Sequence, residues 1–327
     1  TRRLSNSYQN LLKILLHLLT KRIILSRNYQ NEKEPAMFYG SIPALITPFT
    51  NGRIDETGFQ SFAEWQISEG SNGLVPVGTT GESPTLSHEE HMNVVNMCIE
   101  VANGRVPVIA GAGSNSTDEA IRLSQHAQKA GADAVLVVTP YYNKPTQAGL
   151  YAHYKAINDA VNIPIIVYNV PGRSVVDISV ETMARLAKLS NVVGVKDATA
   201  DLARPPLHNI AIDGDFCLLT GEDASAVPYL AAGGVGCISV TANIAPRLCA
   251  DMQRAWRKGD IKGCMELQLR LAPLHNAMFC ETSPGPVKYA ASLIGKCNGE
   301  TRLPICKISQ NSKVAVHSAM LDLGLID

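Results

Sequence analysis

A closed parallel barrel of eight strands and helices, (β/α)8, followed by a C-terminal helical region is the fold class that the sequence predicts. Three observations carry it. Eight short apolar runs recur after Met37, at 42–46, 73–77, 107–110, 134–138, 164–168, 192–196, 216–219 and 236–240. Their starts lie 20 to 34 residues apart, the length of one β-α unit. Each run is almost wholly apolar rather than alternating, as parallel strands covered on both faces require.

Helix signals fall between the runs. Ser87-His-Glu-Glu90 and Ser116-Thr-Asp-Glu119 both read as capping boxes. Gly131, Gly172, Gly194 and Gly234 punctuate the loops. An open doubly wound sheet would be favoured by G-x-G-x-x-G after the first strand, and that motif is missing there; G-x-x-x-x-G-K-[ST] occurs nowhere. From about residue 245 the strand pattern stops and only helical patterns remain, with breaks expected at Pro273 and at Ser283-Pro-Gly-Pro286. The chain therefore divides into a non-core extension at 1–36, a barrel at 37–258 and a helical region at 259–327.

The 327 residues suffice for a large core, and 46% apolar with 18% charged residues is an ordinary soluble α/β composition. Zero formal net charge gives no global field for nucleic acid, so small ligands are expected instead. The eight cysteines form neither C-x-x-C nor a zinc-spaced cluster, and those in apolar runs, such as Cys217 and Cys237, read as reduced, buried thiols. A reducing compartment, the cytoplasm, follows. Residues 1–31 are basic and free of acids, and their apolar stretch at 11–19 is too short and too interrupted to span a bilayer. Two readings stay open: an organelle-targeting presequence, or non-native sequence ahead of a start at Met37, the favoured one. A chain beginning at Met37 is expected to keep full activity.

In such a barrel, chemistry sits at the C-terminal ends of the strands. The second run leads into Gly78-Thr-Thr-Gly-Glu82, the fourth into Thr139-Pro-Tyr-Tyr142, the fifth ends at Tyr168 with Arg173 in the next loop, and the sixth ends at Lys196. An amine at the end of an apolar strand loses hydration, which favours the neutral form that attacks a ketone to give a Schiff base. The plainer alternative is a lysine that snorkels to the rim. Tyr168, on the adjacent strand, is a proton carrier or a half-buried phenol with a satisfied hydroxyl. The glycine-rich turn cradles a carboxylate or is a simple strand-helix connection. Arg173 clamps a carboxylate or is a solvated loop charge. No G-x-S-x-G elbow occurs. His88 and His91 are three apart, not H-E-x-x-H, and lack a third zinc ligand, so an effector or structural role fits them better and no metal is expected.

Together, Gly78-Thr-Thr-Gly-Glu-Ser83, Thr139-Pro-Tyr-Tyr-Asn143, Tyr168-Asn-Val-Pro-Gly-Arg173, Val193-Gly-Val-Lys-Asp197, Gly221-Glu-Asp223 and Ile238-Ser-Val-Thr-Ala-Asn243 resemble the dihydrodipicolinate synthase family from Met37 onward. The resemblance implies a pyruvate-dependent class I aldolase, a lyase acting in diaminopimelate and lysine biosynthesis, that condenses pyruvate with L-aspartate 4-semialdehyde without metal or organic cofactor. It also implies a homotetramer of two tight dimers. Lys196 corresponds to the Schiff-base lysine, Tyr168 to the central proton carrier, and Thr79 to the relay towards Tyr142, which enters from the neighbouring subunit. Thr80 corresponds to the pyruvate carboxylate site and Arg173 to the semialdehyde carboxylate site. Gly221 and Ile238 line the pocket through backbone groups.

Ser83, His88, His91, Asn115, Glu119 and Tyr141 match the family's site for L-lysine as feedback inhibitor, expected to be separate from the catalytic mouth; Pro84 replaces a residue that is often alanine. Glu119 as the mere capping partner of Ser116 is the plainer alternative. Three departures stand out: the extension at 1–36, Ala200 where glycine is common, and Pro205-Pro206 at a helix start, where proline is tolerated. Competing functions are another pyruvate-type aldolase, such as N-acetylneuraminate lyase or a keto-deoxy sugar-acid aldolase, and a non-catalytic keto-acid sensor.

Overall fold

Strands rich in valine, isoleucine and alanine leave neither face fit for water, and a parallel sheet of them closes on itself under a helical shell. The structure, a computed structural model, describes residues 37–327, so every expectation placed on 1–36 lies outside the described residues. The strands are β1 (Gly40–Pro43), a separate antiparallel pair β2 (Phe49–Thr50) and β3 (Arg53–Ile54), β4 (Ile109–Gly111), β5 (Ala134–Val138), β6 (Ile165–Asn169), β7 (Val192–Asp197), β8 (Cys217–Thr220) and β9 (Gly236–Ser239). Seven of them form one parallel sheet in the order β1-β9-β8-β7-β6-β5-β4.

The run at 73–77 closes the circle between β1 and β4. Leu45 N–H donates to Val75 O at 2.9 Å and Val75 N–H to Pro43 O at 3.0 Å on one side. Leu74 N–H donates to Pro107 O and Ile109 N–H to Leu74 O, both at 2.9 Å, on the other. The run makes only isolated parallel bridges, Ala44 with Val75 and Leu74 with Val108. Pro76 has no N–H to offer and Val77 turns to φ 49°, so no longer ladder forms.

Strand parity sorts the side chains. Ile42, Val75, Ile109, Leu136, Ile166, Tyr168, Leu219 and Ile238 form an inner cluster. Their neighbours of opposite parity, among them Val135, Val137, Ile165, Val167, Val195 and Leu218, face the helical shell. Each such burial stabilises the fold by roughly 1.5–3 kcal/mol. Tyr168 is the register partner of Lys196, so the same alternation turns Lys196 inward.

The shell comprises α1 (Glu56–Ser68), α2 (His88–Ala102), α3 (Thr117–Ala130), α4 (Gln147–Ala160), α5 (Pro171–Ser174), α6 (Val180–Leu186), α7 (Arg204–Ala211), α8 (Ala226–Ala231) and α9 (Pro246–Arg257). The chain ends in α10 (Ile261–Ala277), α11 (Gly285–Leu293) and α12 (Gln310–Asp322), with α10 packed on α9 and α12. The Ser87 box forms: Glu90 N–H donates to Ser87 Oγ at 3.1 Å, and Ser87 N–H to Glu90 Oε2 at 2.9 Å. Pro205 and Pro206 fall in the first turn of α7, where an N–H has no intrahelical partner anyway.

Two helix expectations are corrected. Pro273 does not break the chain but lies inside α10. Pro273 is exposed and Leu269, four residues earlier, is 68% exposed, so the carbonyl left without a donor is on the wet side of the helix. Ser116 is the N-cap of α3, yet its side chain makes no capping bond. Glu119 is turned instead towards Ser114 and His88, which offer it stronger partners than a backbone amide. Ala200 takes φ 60°, the left-handed conformation that glycine adopts freely; with a Cβ it costs roughly 1–2 kcal/mol.

Candidate active site

Lys196 is the penultimate residue of β7 and is 5% exposed. Its ammonium lies over the Tyr168 ring, 4.3 Å from the centroid. Among the described residues it forms no ion pair; the adjacent Asp197 has the opposite parity and binds elsewhere. Room for the lysine stem comes from Gly221 at the end of β8. A Cβ there would stand 2.8 Å from Lys196 Cε and 3.0 Å from Ala198 Cβ, closer than packed carbons approach. Ile238, on β9, is fully buried in the inner cluster.

A cavity of about 470 Å³ opens beside Tyr168; Lys196, Gly221 and Ile238 are not among its lining residues. Thr79, Tyr168, Val138 and Arg173 line one end. Ser83, His88, His91, Glu119 and Tyr141 line the other. Residues of both clusters thus border one cavity, because the loop at 78–85 carries both Thr79 and Ser83. Thr80, within that loop, is buried and off the lining, and Asn115 is off the lining too, its carbonyl accepting from Asn143 Nδ2 at 2.9 Å. Tyr142 is 89% exposed at φ 72° and absent from its own chain's cavity, whereas Tyr141 faces in.

The cavity's electrostatics differ between its ends. Arg173 is an exposed cation without an ion pair among the described residues, free to meet an anion. At the other end Glu119 accepts from Ser114 Oγ and pairs with His88 Nε2 at 2.6 Å. The Ser114 bond first, and then His88, hold its carboxyl below the usual carboxylate range.

His91, 5% exposed, has no partner at Nδ1, and burial, with His126 and His88 adding to it, drives its imidazole down to about 4 from 6.5. A buried histidine that stays neutral when folded takes up its proton on unfolding. Its share of stability is fully present above about pH 6.5 and is lost as pH falls towards 4. Burial does the same to His153, also about 4. Thermal midpoints should therefore fall across that window. A His91→Asn protein should take up about one proton fewer on unfolding at pH 5, and an unchanged slope of midpoint against pH would show that His91 is not buried neutral.

Several site-building residues give no local signal in the sequence. Asp197 accepts from Thr199 Oγ1 at 2.6 Å and pairs with Arg204 Nε at 3.2 Å, while Arg204 also reaches Asp177 at 3.0 Å. Asn169 Nδ2 donates to Asp177 Oδ1 at 2.7 Å, so this network ties the ends of β6 and β7 together directly beside Tyr168 and Lys196. Asp223 accepts from Ser239 Oγ and from the amides of Val240 and Thr241 at 2.9 and 3.2 Å, fixing the end of β9. Such charges can be anticipated only as polar residues amid apolar runs. Among the described residues, no group of three or more His, Cys, Asp or Glu is placed to hold a metal ion.

A profile described as the dihydrodipicolinate synthetase family matches residues 37–322. The chain belongs to that family. Within the dihydrodipicolinate synthetase family, the 4-hydroxy-tetrahydrodipicolinate synthase of Rhodospirillum centenum is 66% identical over 290 residues, 89% of this chain and 100% of the relative. The crystal structure of the Acinetobacter baumannii dihydrodipicolinate synthase complexed with pyruvate superposes with a TM-score of 0.86 at 46% identity, covering 88% of this chain and 99% of that one. The Cyanidioschyzon merolae member with lysine bound also gives 0.86, at 36% identity over 88% of this chain and 99% of its own. The barrel and its C-terminal helices are thus the family's fold.

Proposed function

We propose that this protein is a 4-hydroxy-tetrahydrodipicolinate synthase, joining pyruvate to L-aspartate 4-semialdehyde at the start of the route to diaminopimelate and lysine. The carrying observation is the register pair Tyr168 and Lys196 at the mouth of the barrel, with the ammonium 4.3 Å from the ring centroid and Gly221 leaving space for it. Relatives named for this activity at 66% and 61% identity support the reading.

Lys196 Nζ, in its neutral form, adds to the keto carbon of pyruvate. The resulting carbinolamine loses water to leave a C=N bond to the enzyme. Tyr168 is the nearest phenol able to pass the protons that these steps move. Withdrawal of electrons by the imine lets the methyl carbon give up a proton and, as an enamine, attack the aldehyde of the second substrate, forming the C–C bond. The semialdehyde's own amine then displaces Lys196 from the imine carbon, closing a ring and restoring the free lysine. The imine is the electron sink throughout, so the reaction calls for neither metal nor organic cofactor. Thr80 and the backbone of the glycine-rich turn take the pyruvate carboxylate, and Arg173 takes the carboxylate of the semialdehyde.

Tyr142, exposed and turned away from its own cavity, fits a relay in which it reaches Thr79 of a neighbouring subunit, within a homotetramer of tight dimers. No helix among the described residues is long and apolar enough to cross a membrane. The cytoplasm is the proposed location. A coupled assay with pyruvate and aspartate semialdehyde tests the activity; turnover of sugar-acid substrates alone would reassign it to a sister aldolase.

L-lysine is the proposed inhibitor at the far end of the cavity. Ionised Glu119 suits an ammonium, and Tyr141 and Ser83 offer neutral donors for a carboxylate. The lysine-bound Cyanidioschyzon merolae relative supports this choice. Coupling of this kind typically amounts to about 1–3 kcal/mol. Millimolar lysine should inhibit the wild type, and Glu119→Ala should need at least about tenfold more. Equal inhibition of both proteins would remove Glu119 from the site.

A further inference from the structure

No residue beyond Ser174 lines the cavity, yet the loop that joins its two ends is gripped from the C-terminal helical region. Glu82, at the middle of that loop, is 3% exposed and takes φ 58°. Its Oε1 accepts from Lys288 Nζ on α11 at 2.6 Å, and its Oε2 from the Arg302 amide at 2.9 Å. Lys288 is fully buried, with its ammonium 4.0 Å from the centroid of Phe49. Arg302 extends the grip. Its guanidinium holds Glu90, at the start of α2, through two bonds of 2.6 and 2.7 Å, and donates to Thr85 O at 2.9 Å. It too lies over the Phe49 ring, 4.3 Å from the centroid.

Two cations from one region thus fix the middle and the end of the loop. That loop presents Thr79 and Thr80 to pyruvate and Ser83 to the other end of the cavity. A buried ion pair is a poor source of stability compared with apolar packing, while its geometry is exacting. A non-glycine residue held at positive φ persists only where its surroundings over-determine it. Both features suit a part whose task is to hold a shape.

We infer that Lys288 and Arg302 are positioning residues: through Glu82, Thr85 and Glu90 the C-terminal helical region sets the loop that binds pyruvate and connects the two ends of the cavity. The inference rests on the reading of the site as a pyruvate aldolase. It gives helices outside the barrel a part in the reaction, and it predicts that lysine inhibition and pyruvate binding are disturbed together.

The test compares Glu82→Gln, Lys288→Met, the double variant Glu82→Gln/Lys288→Met, and Arg302→Gln, whose partly exposed site leaves the buried pair in place. Each is measured, well below its thermal midpoint, for KM of pyruvate, kcat, the rate of borohydride-trapped imine on Lys196, and lysine inhibition. A misplacement of the loop by about 1 Å corresponds to a loss of up to about a hundredfold in imine formation. The single variants should raise KM for pyruvate and slow trapping at least about tenfold, with Arg302→Gln affected less. The double variant, no longer burying an unpaired charge, should recover midpoint but not rate. A merely structural pair would give folded variants with wild-type KM, trapping rate and lysine response, or a double variant that recovers all of them; either result overturns the inference, and wild-type kinetics in Arg302→Gln does so even where the buried variants fail to fold. Wild-type protein that traps no pyruvate overturns instead the aldolase reading on which it rests.

Discussion

Lys196→Arg is expected to abolish imine formation and to lower turnover by at least about 10³-fold, because a guanidinium does not give up its proton to become a nucleophile. The side chain is buried against Tyr168 and close to Gly221, so the larger head group also strains the packing, by about 1–3 kcal/mol. Lys196→Met separates the two effects. It has nearly the shape of the native stem without the amine, and should be as inactive as the arginine variant while melting close to the wild type. Steady-state assays with both substrates, beside a thermal melt of each protein, decide the matter. Residual turnover near the wild-type level in either variant would place the covalent step on another group.

Arg173→Ala should act on one substrate alone. The residue is exposed, lines the catalytic end of the cavity, and has no ion pair among the described residues, so its charge is available to a ligand. Losing a bidentate, charge-assisted contact costs about 1.5–3 kcal/mol, which is about a ten- to hundred-fold rise in KM for the semialdehyde. Pyruvate is proposed to bind at the glycine-rich turn instead, so its imine should form at the wild-type rate. Single-turnover trapping with pyruvate alone, set beside steady-state KM values for both substrates, measures the split. Equal damage to both substrates would mean that α5 itself has been disturbed and that Arg173 holds structure rather than substrate.

Much of this architecture is legible in the sequence, and the reason is local. Apolar runs at a regular interval become strands because nothing else buries them. The register of β6 with β7 then puts Lys196 on the same side as Tyr168, although an irregularity at the start of β7 interrupts simple parity along 192–196. What is not legible depends on partners far along the chain. Glu119 follows Ser116 at capping-box spacing, yet it bonds Ser114 and His88, the latter 31 residues earlier and on another helix. Glu82 looks like one more polar loop residue until Lys288, 206 positions away, is brought to it. Pro273 reads as a helix break, and it is one only where the carbonyl four residues back has no water. The run at 73–77 reads as a full strand, and it forms only bridges because Pro76 and the left-handed Val77 end the ladder early. Whether two polar clusters make two sites or one depends on the loop that spans them, which spacing alone does not reveal.

The central claim is that pyruvate becomes covalently attached to Lys196, and its most direct measurement is the mass of the adduct. Protein incubated with pyruvate and reduced with borohydride should gain the mass of one reduced pyruvate imine per chain, and peptide mapping should place it on the peptide containing Lys196. Lys196→Met should gain none. A reduced adduct on any other lysine, or wild-type protein that turns over the two substrates while gaining no mass, would contradict the account.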